Sequence, residues 1–436
     1  MILRSHIALA AFAAVALTVP LAAQDTTAQR GVRIGLTYQP GTRPGVVVLP
    51  VNGANGDSVR TILQRDLDFG DRVEIVGREG SVVADVARQQ GGTMNFALWR
   101  QLGALAIVQA TATARGVHVA VHDVAAAGIL TARDFTLPVP ALSAAWRMAL
   151  HGVSDEIERW ITGTRGAAQT RVAFVRGGRV YVVDSDGYGE RSISEQGTSL
   201  SPAWHPSGRW IAYSTFGPRG TQIVVRDIQG RGSRVASPRA GLNITPEFSP
   251  DGSHLIWAFG EENGTDLVAA AFPGGGDPRR ITVGRGSDNV SPSFSPDGRR
   301  LAFTSSRAGH PEIYTTDVDG ANVELLTTYL AGDQSYRSNP AWSPDGRVVA
   351  FQSQVAGRFQ IMTISLRDRS MKQLTSEGIN EDPAWAPDGR HIVFTSTRTG
   401  TKQLFVLDAE TGRARQLTRT GGARLAAWSR VLDRTP

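Results

Sequence analysis

Pro340-Ala-Trp-Ser-Pro-Asp-Gly-Arg347 decides the fold, because the chain writes it four more times. The other copies are Pro202-Ala-Trp-His-Pro-Ser-Gly-Arg209, Pro246-Glu-Phe-Ser-Pro-Asp-Gly-Ser253, Pro292-Ser-Phe-Ser-Pro-Asp-Gly-Arg299 and Pro383-Ala-Trp-Ala-Pro-Asp-Gly-Arg390. Their aromatic residues, at 204, 248, 294, 342 and 385, are spaced by 44, 46, 48 and 43 residues, and a further 43 reaches Trp428 in Ala426-Ala-Trp-Ser429. A period of about 40–50 residues with turn-rich strands is the mark of propeller blades.

Each repeat supplies four strands. The Pro-x-aromatic piece is the first, and Ser-Pro-Asp-Gly turns it back, with Pro setting one central φ and Gly accepting the left-handed one. Second strands follow (Leu301–Ser305, Val349–Ser353, Ile392–Ser396), then third strands (Glu312–Asp317, Gln403–Asp408) and fourth strands (Glu324–Thr327, Lys372–Thr375, Arg415–Thr418). The stretch from Arg171 to Ser194 matches strands two to four but has no first strand, whereas Trp428 belongs to a first strand with nothing after it. The two fragments complete one another. The expectation is six blades, closed by the C-terminal strand, with no open sheet edge left to aggregate.

Ahead of the array, residues 31–163 alternate strand and helix. Gly45–Val51 reads as a buried strand and Val73–Val76 as another. Between them Val59, Ile62, Leu63 and Leu67 recur at helical spacing, with Asp57 or Ser58 as the expected cap. A short helix is expected over 95–102 and strands over 105–110 and 117–124, the last placing Val117, Val119 and Val121 on one face. Trp146, Leu150, Val153, Ile157, Trp160 and Ile161 mark a long amphipathic helix, followed by a polar, Gly-bearing linker at 164–170. The fold class is therefore two-domain: a small N-terminal α/β domain followed by a six-bladed all-β propeller closed by the C-terminal strand. Its expected boundaries are 24–163, 164–170 and 171–436.

The first 23 residues read as an export signal: Arg4, the apolar run Ile7–Leu17, Pro20, and small residues near Ala23 for cleavage. That run falls short of the roughly 20 residues a spanning helix needs, and no later stretch approaches it, so no transmembrane segment is expected in the mature chain. In a double-membraned bacterium such a product sits in the periplasm. With no Cys among 436 residues, disulfides, thiolate nucleophiles, cysteine zinc sites and N-terminal lipid attachment are excluded. The formal charge of +6 comes from 46 basic against 40 acidic residues with no long basic run, so nucleic acid is not an expected partner.

Candidate chemistry is sparse. His118 and His122 lie on a strand rather than at helical metal spacing, and His205, His254, His310 and His391 fall at or near turns, where exposed polar roles are expected. Asp251, Asp297, Asp345 and Asp388 share one turn position, where Asp stabilises the turn locally. A Gly-x-Ser-x-Gly elbow and a Walker loop are both absent from the sequence. One scaffold repeated six times without a unique acid–base group argues for a binding surface. No catalytic, cofactor or metal residue is assigned.

Three features together carry a resemblance. They are the leader, an α/β segment with Arg43-Pro-Gly-Val-Val-Val-Leu-Pro50, and the Pro-x-Trp-Ser-Pro-Asp-Gly repeats, joined through Ser154-Asp-Glu-Ile157, Ile161-Thr-Gly163, Thr170-Arg-Val-Ala-Phe174 and Asp184-Ser-Asp-Gly-Tyr188. Over essentially the whole mature chain the sequence resembles the TolB family of periplasmic Tol-Pal proteins. The resemblance implies a non-catalytic, cofactor-free adaptor, expected to be monomeric, that supports envelope integrity and cell division. It implies a Pal-type peptidoglycan-associated lipoprotein bound on one propeller face. It also implies a TolA-type inner-membrane partner at the N-terminal segment, here Gln24, Asp25, Val32 and Arg33. That segment departs from the family's short strand-like start by a polar Asp25–Gln29 extension. Propeller geometry places the lipoprotein site at the residues entering each innermost strand: Leu200, Ser201, Ile244, Thr245, Val290, Ser291, Ser338, Asn339, Glu381 and Asp382. A rival class is an envelope peptidase- or carbohydrate-associated propeller.

Overall fold

Three consecutive valines, Val46–Val48, are buried on both sides of the first strand, so a sheet covered on both faces is required from the outset. The computed structural model describes residues 43–77, 94–195, 197–284, 286–328 and 335–432. The expected signal and the N-terminal candidates Gln24, Asp25, Val32 and Arg33 lie outside the described residues.

In the α/β domain β1 (Gly45–Val48) pairs in parallel with β2 (Glu74–Ile75) and β3 (Ala104–Thr113); β4 (Gly116–Asp123) and β5 (Gly128–Thr136) continue the sheet antiparallel, giving the order β2-β1-β3-β4-β5. Helices α1 (Gly56–Phe69) and α3 (Ala144–Thr162) cover one face. There Val46, Val48, Ile62, Leu63 and Leu67 meet Leu150, Val153 and Ile157. The short helix α2 (Phe96–Gln101) covers the other face, where Trp99 packs on Val47 and Ile107. Val117, Val119 and Val121 share the buried face as their alternation predicts. The cap of α1 does not follow expectation: Asp57 and Ser58 lie inside the helix, and Asn55 caps it in the left-handed region without a side-chain bond. Strand β5 is an addition to the sequence reading. It is mostly exposed and carries no apolar run, so periodicity offers nothing to detect.

The rest forms six four-stranded sheets arranged as blades. In five of them the strands run in chain order from Leu200, Leu242, Asn289, Arg337 and Asn380 at the centre. The sixth is composite: Arg424–Trp428 is its innermost strand and pairs antiparallel with Arg171–Arg176, placing Trp428 opposite Val172. The expected closure is therefore present. Trp428 packs with Val172, Phe174, Val393 and Val406 between the fifth and sixth blades, and its indole nitrogen donates to Thr170 Oγ1 at 2.7 Å.

Five of the six innermost strands end in the repeated turn. Gly208, Gly252, Gly298, Gly346 and Gly389 there have φ between 68° and 74°, a region that a side chain would strain. In three of the turns a serine hydroxyl donates to the Asp carboxylate: Ser249 to Asp251 at 2.5 Å, Ser295 to Asp297 at 2.6 Å and Ser343 to Asp345 at 2.6 Å. Those aspartates are turn residues, as expected.

Removing the latch should open the ring. Trp428→Ala is expected to lower stability by about 3 kcal/mol, read as a shift in urea midpoint, and deletion of residues 424–436 to expose the edge of Arg171–Arg176 and give aggregates in size-exclusion chromatography.

Candidate binding site

Chain direction divides the ring into two faces. Innermost strands start on one face, where the connections between blades also lie. They end on the other, at the repeated turns. The two ends of the central channel differ in chemistry.

At the entering end, every innermost strand carries a register irregularity. There sits one non-glycine residue with positive φ: Ser201 (48°), Thr245 (49°), Ser291 (53°), Asn339 (54°), Asp382 (55°) and Leu425 (53°). In five blades a proline follows, which ordinarily steers the residue before it to extended backbone. Six left-handed residues in one ring are a concentration of strain of the kind found at functional sites. Together they line a mouth cavity of about 140 Å³.

Side-chain bonds link four of these residues in succession. Thr245 Oγ1 accepts from Ser291 N at 3.1 Å, Ser291 Oγ donates to Asn339 Oδ1 at 3.0 Å, and Asn339 Nδ2 donates to Asp382 Oδ1 at 2.7 Å. Thr395 Oγ1 donates to Asp382 Oδ2 at 3.2 Å and accepts from Leu425 N at 3.3 Å. Burial pushes the Asp382 carboxyl above its ordinary range, and the neighbouring Glu381 charge adds to this against the bonds from Asn339 and Thr395.

Of the ten residues expected here, Ser201, Thr245, Ser291, Asn339 and Asp382 meet at the cavity. The other five turn away from it. Ile244 and Val290 pack into the core between the second and third blades, Leu200 is partly buried, Ser338 is buried, and Glu381 pairs with Lys402 at 2.5 Å. Alternation along a strand sends neighbouring side chains to opposite sides, so only one of each pair can face the channel. Leu425 is the sixth member; its copy lacks the proline, which hid it from a search on the motif.

Apolar side chains surround this mouth. Phe216, Leu242, Val283, Tyr336 and Ile379 are exposed; Phe216 lies near the end of the strand Trp210–Gly217, Leu242 at a strand start and the other three on loops of the entering face. Phe216 is 64% and Val283 67% exposed, well beyond what packing needs.

The α/β domain docks on the opposite, turn-bearing face, at the fifth and sixth blades. Arg72 donates to Glu158 Oε1 at 3.2 Å, to Asp388 Oδ2 at 3.3 Å and to the Asp388 carbonyl at 3.2 Å. His391 bridges Asp388 (2.6 Å) and Asp71 (3.2 Å), and Arg413 reaches Asp71 at 2.7 Å. The fifth turn thus differs from its sisters. Ala386 replaces the serine, and Asp388 is a docking residue as well as a turn residue. His391, expected as an exposed turn polar, is buried instead. Burial opposes its charge, but Asp388 and Asp71 outweigh burial and raise the imidazole to about 9. Burial also pushes Glu158 up to about 8, against the Arg72 charge.

A second cluster lies beside it. Ligand atoms of His151, Asp184 and Asp186 fall within 4.8 Å of one another. Arginines already meet both carboxylates: Arg147 at 2.8 Å and Arg65 at Asp186, and Arg171 at 2.9 Å from Asp184. The charge a metal ion would neutralise is thus supplied by the chain, and the cluster reads as domain docking. His118 and His122 do not converge on a ligand: they bond to Asp134 at 2.8 Å and Gln109 at 3.0 Å.

A closed six-bladed ring, with a bonded mouth on one face and an α/β domain on the other, defines a class of two-domain propeller. Residues 158–432 match the family described as TolB beta propeller domain. The chain belongs to this TolB propeller family. It is 36% identical over 163 residues to the Tol-Pal system protein TolB of Thioalkalivibrio sulfidiphilus and 33% identical over 163 residues to that of Histophilus somni. In each case the match covers 34% of this chain and 37% of the relative, so the chain spans little more than a third of the curated relatives it matches. The crystal structure of TolB from Acinetobacter baumannii shares the fold at a TM-score of 0.76 and 24% identity, covering 90% of this chain and 98% of that one. Among the described residues no helix is long and apolar enough to cross a membrane.

The docking network sets a pH dependence. The raised His391 stabilises the fold fully below its unfolded value of 6.5 and loses that contribution as pH rises through about 9. Glu158, also raised, destabilises the fold progressively from its unfolded 4.5 up to about 8. Both effects have the same sign, so Tm should fall by several degrees between pH 6 and 9.5. His391→Gln should lower Tm at pH 6 and flatten that decline in differential scanning calorimetry.

Proposed function

We propose that this chain is a non-catalytic periplasmic adaptor of a Tol-Pal system. It binds a Pal-type outer-membrane lipoprotein at the entering mouth of its propeller and a TolA-type inner-membrane partner through residues 24–33, and in doing so supports envelope integrity and cell division. A monomeric, exported chain cleaved near Ala23 fits this reading, as do domains at 24–163 and 171–436 joined through 164–170. The observation that carries it is the ring of six strained residues, four of them joined by side-chain hydrogen bonds, with Phe216, Leu242, Val283, Tyr336 and Ile379 exposed on the same face. A strained polar centre with an apolar surround suits a protein partner, whose hot spots need desolvated contact. The α/β domain, docked on the far face, leaves this mouth clear.

Position 245 is the place to test it. Thr is β-branched and already poorly suited to φ 49°, so Lys there adds no backbone strain. Val290, in contrast, packs in the core, and altering it would confound folding with binding. Thr245→Lys is expected to weaken binding of a purified OmpA-like lipoprotein domain at least tenfold by calorimetry, with an unchanged circular dichroism spectrum. Undiminished affinity in the folded variant would refute the placement of the site.

A further inference from the structure

The sixfold repeat provides an internal control for every channel position. One residue directly precedes the aromatic of each innermost strand, and the six are Ala203, Glu247, Ser293, Ala341, Ala384 and Ala427. Five blades close with a side chain no larger than serine. The Ser293 hydroxyl has its own structural use, accepting from Trp342 N at 3.0 Å. The fold therefore requires nothing larger here, yet the second blade places a carboxylate in the channel.

That carboxylate lines a cavity of about 830 Å³ that opens toward the turn-bearing face, the opposite end from the mouth described above. The other lining groups are mainly prolines and the aromatic ring Trp204, Phe248, Phe294, Trp342, Trp385 and Trp428. Among the described residues Glu247 is the only carboxylate in the lining, and it makes no hydrogen bond or ion pair there. Two other titratable groups face the cavity. His205 is held by Ser207 at 2.8 Å and the Gly252 carbonyl at 3.2 Å, with burial lowering its pKa; Arg430 is exposed at the rim. Burial pushes Glu247 up to about 8, against the Arg430 charge. Glu247 is only partly buried, so its unpaired carboxylate is open to a ligand that enters the cavity.

The chemistry of the cavity selects that ligand. One carboxylate among proline rings cannot furnish the six or more oxygens that a hard divalent cation demands. An inward-facing acid disfavours an anion. Aromatic faces and a single carboxylate suit an organic cation, whose charge pairs with the acid while its carbon stem lies on the rings. The volume falls within the roughly 300–1,000 Å³ of small-molecule sites.

We propose that the channel end containing Glu247 binds a small aliphatic amine or guanidine, with its charged group on the Glu247 carboxylate. This site stands apart from the proposed partner face and does not depend on it. Binding near neutral pH converts a mostly protonated acid into its ion, so complex formation releases a proton.

The test is calorimetric titration of the full chain with spermidine and with agmatine at pH 7.0, in two buffers of different ionisation enthalpy. The expected result is one ligand per chain with release approaching one proton. Glu247→Gln should weaken binding at least tenfold and abolish proton release. Glu247→Ala, the residue of three sister blades and of the composite one, should bind neither amine while the protein remains folded. Absence of heat for both amines at millimolar concentration with folded protein would overturn the proposal. So would undiminished binding in Glu247→Gln, or a Glu247→Ala variant that no longer folds, which would make the carboxylate structural.

Discussion

The pairing of Arg424–Trp428 with Arg171–Arg176 is the constraint on which the molecule depends. Residues about 250 positions apart must find one another before the fifth and the composite blades have both neighbours. Until they do, two sheet edges remain open and the channel has no fixed diameter. Six blades, two distinct channel ends and a defined seat for the α/β domain all follow from that pairing. The Trp428 indole ties the same strand to Thr170, so the latch reaches the segment joining the two domains.

Local rules account for much of the rest. The repeated Pro-x-aromatic-x-Pro-x-Gly pattern specifies a strand and its turn without help from the remainder of the chain, which is why the blade count could be read directly. The αβ alternation was equally legible wherever apolar residues recur, as in Val117, Val119 and Val121. It failed at β5, whose exposed residues carry no period, and at the start of α1, where backbone geometry at Asn55 replaces a side-chain cap.

The functional surfaces were half legible. Counting back from each proline found the mouth but could not say which of two adjacent residues faces it, because that depends on the bulge in each strand. The docking cluster was missed altogether: Arg72 and Asp388 are 316 residues apart, and no periodicity links them. A signal for it was nonetheless present, as Ala386 stands where three of the other copies carry serine. The same comparison, copy against copy, isolates Glu247. In a repeat protein, departures from the shared pattern mark where folding has released a position to another use.

The missing serine of the fifth turn has one more consequence. Its sisters complete their own hydrogen bonding, whereas Asp388 finds His391 within its blade and Arg72 on the α/β domain. That corner of the toroid is therefore finished by a domain synthesised several hundred residues earlier. Seating the α/β domain and completing the fifth turn are thus one event, and whatever loosens the contact leaves Asp388 without one of its partners.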